Sequence, residues 1–102
     1  LAGVPENTNY AVITDIQVEK TGTVWMLNYY AYNHQVLAAM TPDSQWVYFS
    51  DSELGLSSDK VTCLLIDHRG WKWIGTEGSG ISVFSDNGTP LDKSDDQIMG
   101  NL

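Results

Sequence analysis

Basic residues are scarce in this 102-residue chain: five Lys and Arg stand against thirteen Asp and Glu, a formal charge of −8 at pH 7. Nucleic-acid binding needs the opposite balance to neutralise phosphates, and so does attraction to an anionic membrane, so neither is expected as a partner. There is one cysteine, Cys63, which excludes an internal disulfide and a cysteine-based zinc site. Within the apolar run VTCLLI it reads as a small core residue. Of the two histidines, His34 and His68, neither has a second histidine at ligand spacing, so no metal or cofactor is expected. No apolar run approaches the ~20 residues of a membrane span, and the opening LAGVPENTNY carries no basic region of a signal peptide. Helical periodicity is absent too, which leaves strands and turns.

What is present is one domain's worth of ordinary globular composition, 42% hydrophobic, and it repeats. Shifted by 48 positions, ITDIQVEKTGTVWML falls on VTCLLIDHRGWKWIG. Thr14 meets Thr62, Gly22 meets Gly70, and Trp25 meets Trp73, while Ile13, Ile16 and Val18 meet Val61, Leu64 and Ile66. Each copy opens with a β-branched run (12–18 and 61–66) that reads as a strand buried on at least one face. A four-residue turn ending in glycine follows, Glu19–Gly22 or Asp67–Gly70, whose last residue is expected to go left-handed. Second strands are expected at 23–28 and 71–76, and third strands at 36–40 and 81–85. A fourth is expected at 45–50 after the turn Pro42-Asp43-Ser44. In the second copy the corresponding region, SDNGTPLDKSDDQ, is polar, and the pattern fades there.

The expected unit is therefore four antiparallel strands in about 48 residues, the length and strand count of one β-propeller blade. The fold class is all-β, with one repeat in residues 1–50 and another in 51–102. Propellers close with roughly four to eight blades. Two imply that other blades of a parent protein, or copies of this chain, complete the packing.

The residues that carry this pattern also resemble a known family. The run VTCLLIDHRGWKWIGTEGSGISVF resembles the two-component-regulator propeller repeat, with Val61, Leu64, Asp67, Gly70, Trp73, Ile74, Gly75, Thr76, Gly80 and Phe84 at the matching places. Ile81 stands where leucine is usual, and Ser57 where proline is. Residues 54–86 match well. Residues 12–49 match less closely, with Glu19 in place of the Asp and Met26-Leu27-Asn28 in place of Ile-Gly-Thr. The resemblance implies an extracytoplasmic bacterial protein of the Bacteroidetes, and with no nucleophile–base pair, metal triad or paired acids in the sequence no enzymatic activity is expected. Two settings are implied: a PorZ-like component of type IX secretion, or the periplasmic oligosaccharide-sensing region of a hybrid two-component regulator. Lys72 before Trp73, MTPDSQWVYF and SDNGTPLDKSDD look more like the first. Either setting implies a glycan, a lipopolysaccharide or a protein as partner.

Several local features remain. Gly75, Gly78 and Gly80 suggest a phosphate cradle, but such a loop needs a following helix to supply its amides, and ISVF reads as a strand. They are expected to make a tight turn, with Glu77 as an exposed turn residue. Trp25 and Trp73 are expected to fill the space between sheets. The insertion NYYAYNHQ places Tyr29, Tyr30, Tyr32, Asn33 and His34 together, either as an aromatic and polar surface suited to a sugar or as a packed lid. Trp71, just past a turn glycine, is a further binding candidate if it stands exposed, and a packing residue if it does not. Asn87-Gly88-Thr89 matches a glycosylation acceptor but reads as a hairpin turn, and Asp92, Asp95 and Asp96 lack the spacing of a calcium loop.

Overall fold

The computed structural model describes residues 1–86, 88, 91, 93 and 96–101. It is all-β: eight strands form two four-stranded antiparallel sheets in which neighbours in sequence are neighbours in space. The first sheet comprises β1 (Val12–Val18), β2 (Val24–Tyr29), β3 (Gln35–Met40) and β4 (Trp46–Ser50). The second comprises β5 (Val61–Ile66), β6 (Lys72–Thr76), β7 (Ile81–Ser85) and β8 (Gln97–Asn101). The repeat thus appears as two meanders of the same order. β8 lies beyond the point where the sequence pattern fades. It pairs with β7 through Phe84↔Ile98 and Ser85↔Gln97, and the turn candidates Asn87, Thr89, Asp92 and Asp95 lie outside the described residues.

The turns obey the glycine signal. Gly22 and Gly70 have φ of +93° and +81°, and each amide closes a tight turn on the carbonyl of Glu19 or Asp67, at 2.8 and 2.9 Å. A side chain at such φ is strained, whereas glycine is not. Gly78 and Gly80 are likewise left-handed, and β7 follows them, as a tight turn between strands requires.

The sheets pack face to face with β1 and β2 against β5. Pairing in the first sheet puts Trp25, Leu27, Leu37, Ala39 and Phe49 on one face. That face meets Leu64, Ile74 and Phe84 of the second sheet in one buried cluster with Leu54, Leu56 and Val61. Trp25 is wholly buried, stacked on Phe49 at 5.8 Å and edge-on to Phe84 at 6.4 Å. At the centre lies a buried cation. Lys72, 0% exposed, reaches Glu19 and Asp86, each at 3.2 Å, and lies over the Trp25 ring at 4.3 Å. Burial of a charge is tolerated only with such partners.

Three expectations are corrected. β1 does not bury its apolar residues: Ile16 and Val18 are exposed, at 56% and 67%. They lie with Met26 and Val24 on the face of the first sheet that no other sheet covers, while Asp15, past a register shift at Ile13/Asp15, turns toward β5 and accepts the Leu64 amide at 2.9 Å. Cys63 is exposed rather than in the core, since a matching shift between Val61 and Cys63 puts it opposite Gly75 on the outer face of the second sheet. Trp73, the counterpart of Trp25, is only half-buried, because no third sheet lies beyond it.

Candidate functional site

The insertion after β2 turns sharply over one end of the two sheets. Tyr30 and His34 adopt left-handed backbone, with φ of 55° and 62°, unusual for non-glycine residues. The conformation is held from several sides. The Tyr30 amide donates to the Asp59 carbonyl at 2.8 Å, the Tyr32 amide to the Gly3 carbonyl at 2.8 Å, and the Asp51 amide to the His34 carbonyl at 3.0 Å. Ala31 at its centre is fully buried. This loop is therefore tied to the N-terminal segment and to the 51–60 linker between the sheets.

On this backbone Tyr29 and Tyr30 meet edge to face at 6.2 Å, and the Lys60 ammonium lies 5.0 Å above the Tyr30 ring. The Tyr29 hydroxyl donates to Glu77 Oε2 at 3.0 Å. Acceptance by that carboxylate is the main cause raising the phenol above its ordinary value, with desolvation and the charges of Glu77 and Asp59 adding to it. Glu77 thus has a defined partner 48 positions away in sequence. Tyr32 is the outward aromatic, 52% exposed. Asn33 Oδ1 accepts the Gln35 amide at 3.1 Å, which commits its carbonyl to the loop. Its side chain borders a cavity of about 220 Å³ with Leu1, Ala2, Asn28, Gln35 and Tyr48. There the buried Asn28 donates to the Ala2 carbonyl at 2.8 Å, while its Oδ1 has no hydrogen-bond partner among the described residues.

His34 Nδ1 lies 3.0 Å from Asp51 Oδ2 and 3.4 Å from Asp59 Oδ2. Histidine spacing alone gave no ground for expecting a metal. The two carboxylates reach His34 from the inter-sheet linker, through folding that no local motif announces. Asp51, Asp59, Lys60 and Glu77 are the neighbours that sequence reasoning missed or set aside. The one legible trace of Asp51 and Asp59 is the acidic character of the linker.

Trp71 does not join this group. It sits at the β5–β6 turn, at the other end of β6 from Glu77 and so about 20 Å away by strand rise. It is half-buried, and the Arg69 guanidinium covers its ring at 3.7 Å, a stacked packing arrangement. Nearby, Asp67 organises the turn. Its Oδ1 accepts the amides of Arg69 and Trp71 at 2.9 and 3.1 Å, and its Oδ2 accepts Arg69 Nη2 and Trp73 Nε1 at 3.0 and 2.9 Å. Desolvation pushes its pKa up, but these donors, led by Trp73 and Arg69, outweigh it and hold the carboxyl well below the usual range. In the first repeat Glu19 accepts Trp25 Nε1 at 2.8 Å in the same way.

No family model, curated protein or solved structure matches the chain. No helix among the described residues is long and apolar enough to cross a membrane.

Proposed function

We propose that the chain is a pair of consecutive β-propeller-type blades acting as a non-enzymatic binding segment, with the Tyr29–His34 loop as its ligand-facing surface and a glycan as its ligand. The observation that carries the binding reading is the loop itself. Strained backbone at Tyr30 and His34 is held by hydrogen bonds to the N-terminal segment and the 51–60 linker and presents Tyr32 outward. A rigid, exposed aromatic beside amide and imidazole groups stacks on a sugar ring at little entropic cost. Trp71 is left out of this surface because Arg69 already covers it.

The blade reading is supported by the paired tryptophan–carboxylate bonds, Trp25 to Glu19 and Trp73 to Asp67, and by the apolar rows left open on the first sheet. Ile16, Met26, Ala38 and Tyr48 form one row across it, and Val18, Val24, Met40 and Trp46 the next. The matching rows of the second sheet, Leu64-Ile74-Ser82 and Ile66-Lys72-Phe84, are the ones that pack on the first. By continuity with that interface, the occupant we assign to the open rows is another sheet of the same kind. The resemblance over residues 54–86 supports an extracytoplasmic setting, a PorZ-like component of type IX secretion with a glycan such as lipopolysaccharide as partner.

Titration of the isotope-labelled chain with a panel of bacterial oligosaccharides tests the ligand surface. Amide shifts are expected to concentrate at residues 29–34, and Tyr32→Ala to weaken binding by roughly tenfold, the size of one lost aromatic contact. Shifts centred on Trp71, or binding indifferent to Tyr32→Ala, would overturn the assignment.

A further inference from the structure

Two carboxylates and an imidazole converge where the aromatic loop meets the inter-sheet linker, and a sugar-stacking surface does not require the carboxylates. In neutral imidazole, Nδ1 carries at most one proton and can donate to one carboxylate at a time. Here it faces two, at 3.0 and 3.4 Å. Among the described residues neither Asp51 nor Asp59 forms an ion pair with a lysine or arginine, in a chain whose net charge is already −8. Like charges gathered at one point raise each other's energy unless a cation lies between them.

The three groups are also oriented before any ligand arrives. Asp51 receives the Ser52 amide on Oδ1 at 2.8 Å, which leaves Oδ2 toward His34, and its own amide is bound to the His34 carbonyl. Asp59 is tied to the loop through its carbonyl and the Tyr30 amide. Both carboxylates are mostly shielded, at 19% and 16% side-chain exposure, while the imidazole is open to solvent at 59%. An ion could therefore enter from solvent and meet carboxylates already in place.

We propose that His34, Asp51 and Asp59 form a three-ligand site for a divalent transition ion of zinc type, completed by water. The distances suit it. Zinc bonds of about 2.0–2.2 Å in tetrahedral geometry place ligand atoms about 3.3–3.6 Å apart, and all three ligand atoms lie within 4.8 Å of one another. One imidazole with two carboxylates selects zinc or its transition-metal neighbours over calcium, which prefers six to eight oxygens. The ion would tie the insertion of the first sheet to the linker leading into the second. The site rests on these side chains alone and does not depend on the glycan reading.

The test uses zinc chloride and calcium chloride with the full chain, freed of metal by chelation. Zinc is expected to bind at one equivalent and to raise the melting temperature, with calcium doing neither. The chain has only two histidines, so imidazole NMR separates their signals: zinc should move His34 and leave His68 in place. His34→Gln and Asp59→Asn should each weaken zinc binding by roughly tenfold or more, while His68→Gln leaves it unchanged. The backbone amide spectrum of each variant shows whether it is folded. Should a variant unfold, the His34 resonance of the wild-type chain decides the question by itself. No zinc uptake, binding that moves His68 instead, or equal affinity in folded His34→Gln would overturn the site.

Discussion

At the level of single residues, the carboxylate that starts each hairpin turn does more than shape the turn. Asp67 collects two backbone amides, a guanidinium and the Trp73 indole. Its folded pKa lies below the unfolded value. Its contribution to stability is therefore complete above about pH 4, the unfolded carboxylate value, and is lost as pH falls below that toward the folded pKa. Urea unfolding between neutral and acidic pH checks this. The wild type is expected to lose stability below about pH 4, and Asp67→Asn to start less stable and fall less steeply over the same range. Glu19 stands where the repeat pattern has aspartate, a departure that weakened the match of the first copy. Its longer side chain still accepts the Trp25 indole and in addition reaches Lys72, so the substitution keeps one bond and adds an ion pair. Turn glycines and tryptophans were legible in the sequence because local backbone geometry and size dictate them. The partners of Lys72 were not, because they lie 53 positions before it and 14 after it in the chain.

Among the elements, seven of the eight strands could be read from β-branched runs and turn signals, and β8 could not. QIMGN has little β-propensity, and its place is set by pairing with β7. The orientation of β1 and β5 was equally hidden. A single bulge reverses the faces of a strand, so Cys63 points outward although its sequence pattern reads inward, and Ile16 and Val18 are exposed because their face of the first sheet has no sheet against it. The candidate site was half legible. The aromatic insertion announced itself by composition, whereas Asp51, Asp59 and Glu77 reach it only through the packing of the two sheets. That packing has a single buried cation at its centre. Lys72→Met keeps the apolar stem and removes the charge, leaving Glu19 and Asp86 facing a neutral side chain. The expected cost is about 3 kcal/mol or more of unfolding free energy, measured by urea denaturation. A loss below about 1 kcal/mol, in the range of an exposed ion pair, would show that the ammonium is not what joins the sheets.

For the molecule as a whole, two sheets bury one face each against the other and leave one face each open. The first sheet's open face carries two full apolar rows, with Trp46 and Tyr48 stacked at 6.0 Å along one edge. The second presents Leu65, Cys63 and half-buried Trp73. Exposed apolar areas of this kind mark surfaces that pack on something. A heterologous contact between such faces closes into a ring if the rotation allows it, and otherwise continues. The most direct test is the mass of the 102-residue chain in solution, by light scattering across a range of concentrations. Packing of copies of this chain through the open rows predicts a mass well above the 11.3 kDa of one chain, falling toward that value when Met26→Lys places a charge in those rows. A folded chain that stays at 11.3 kDa at every concentration would contradict it.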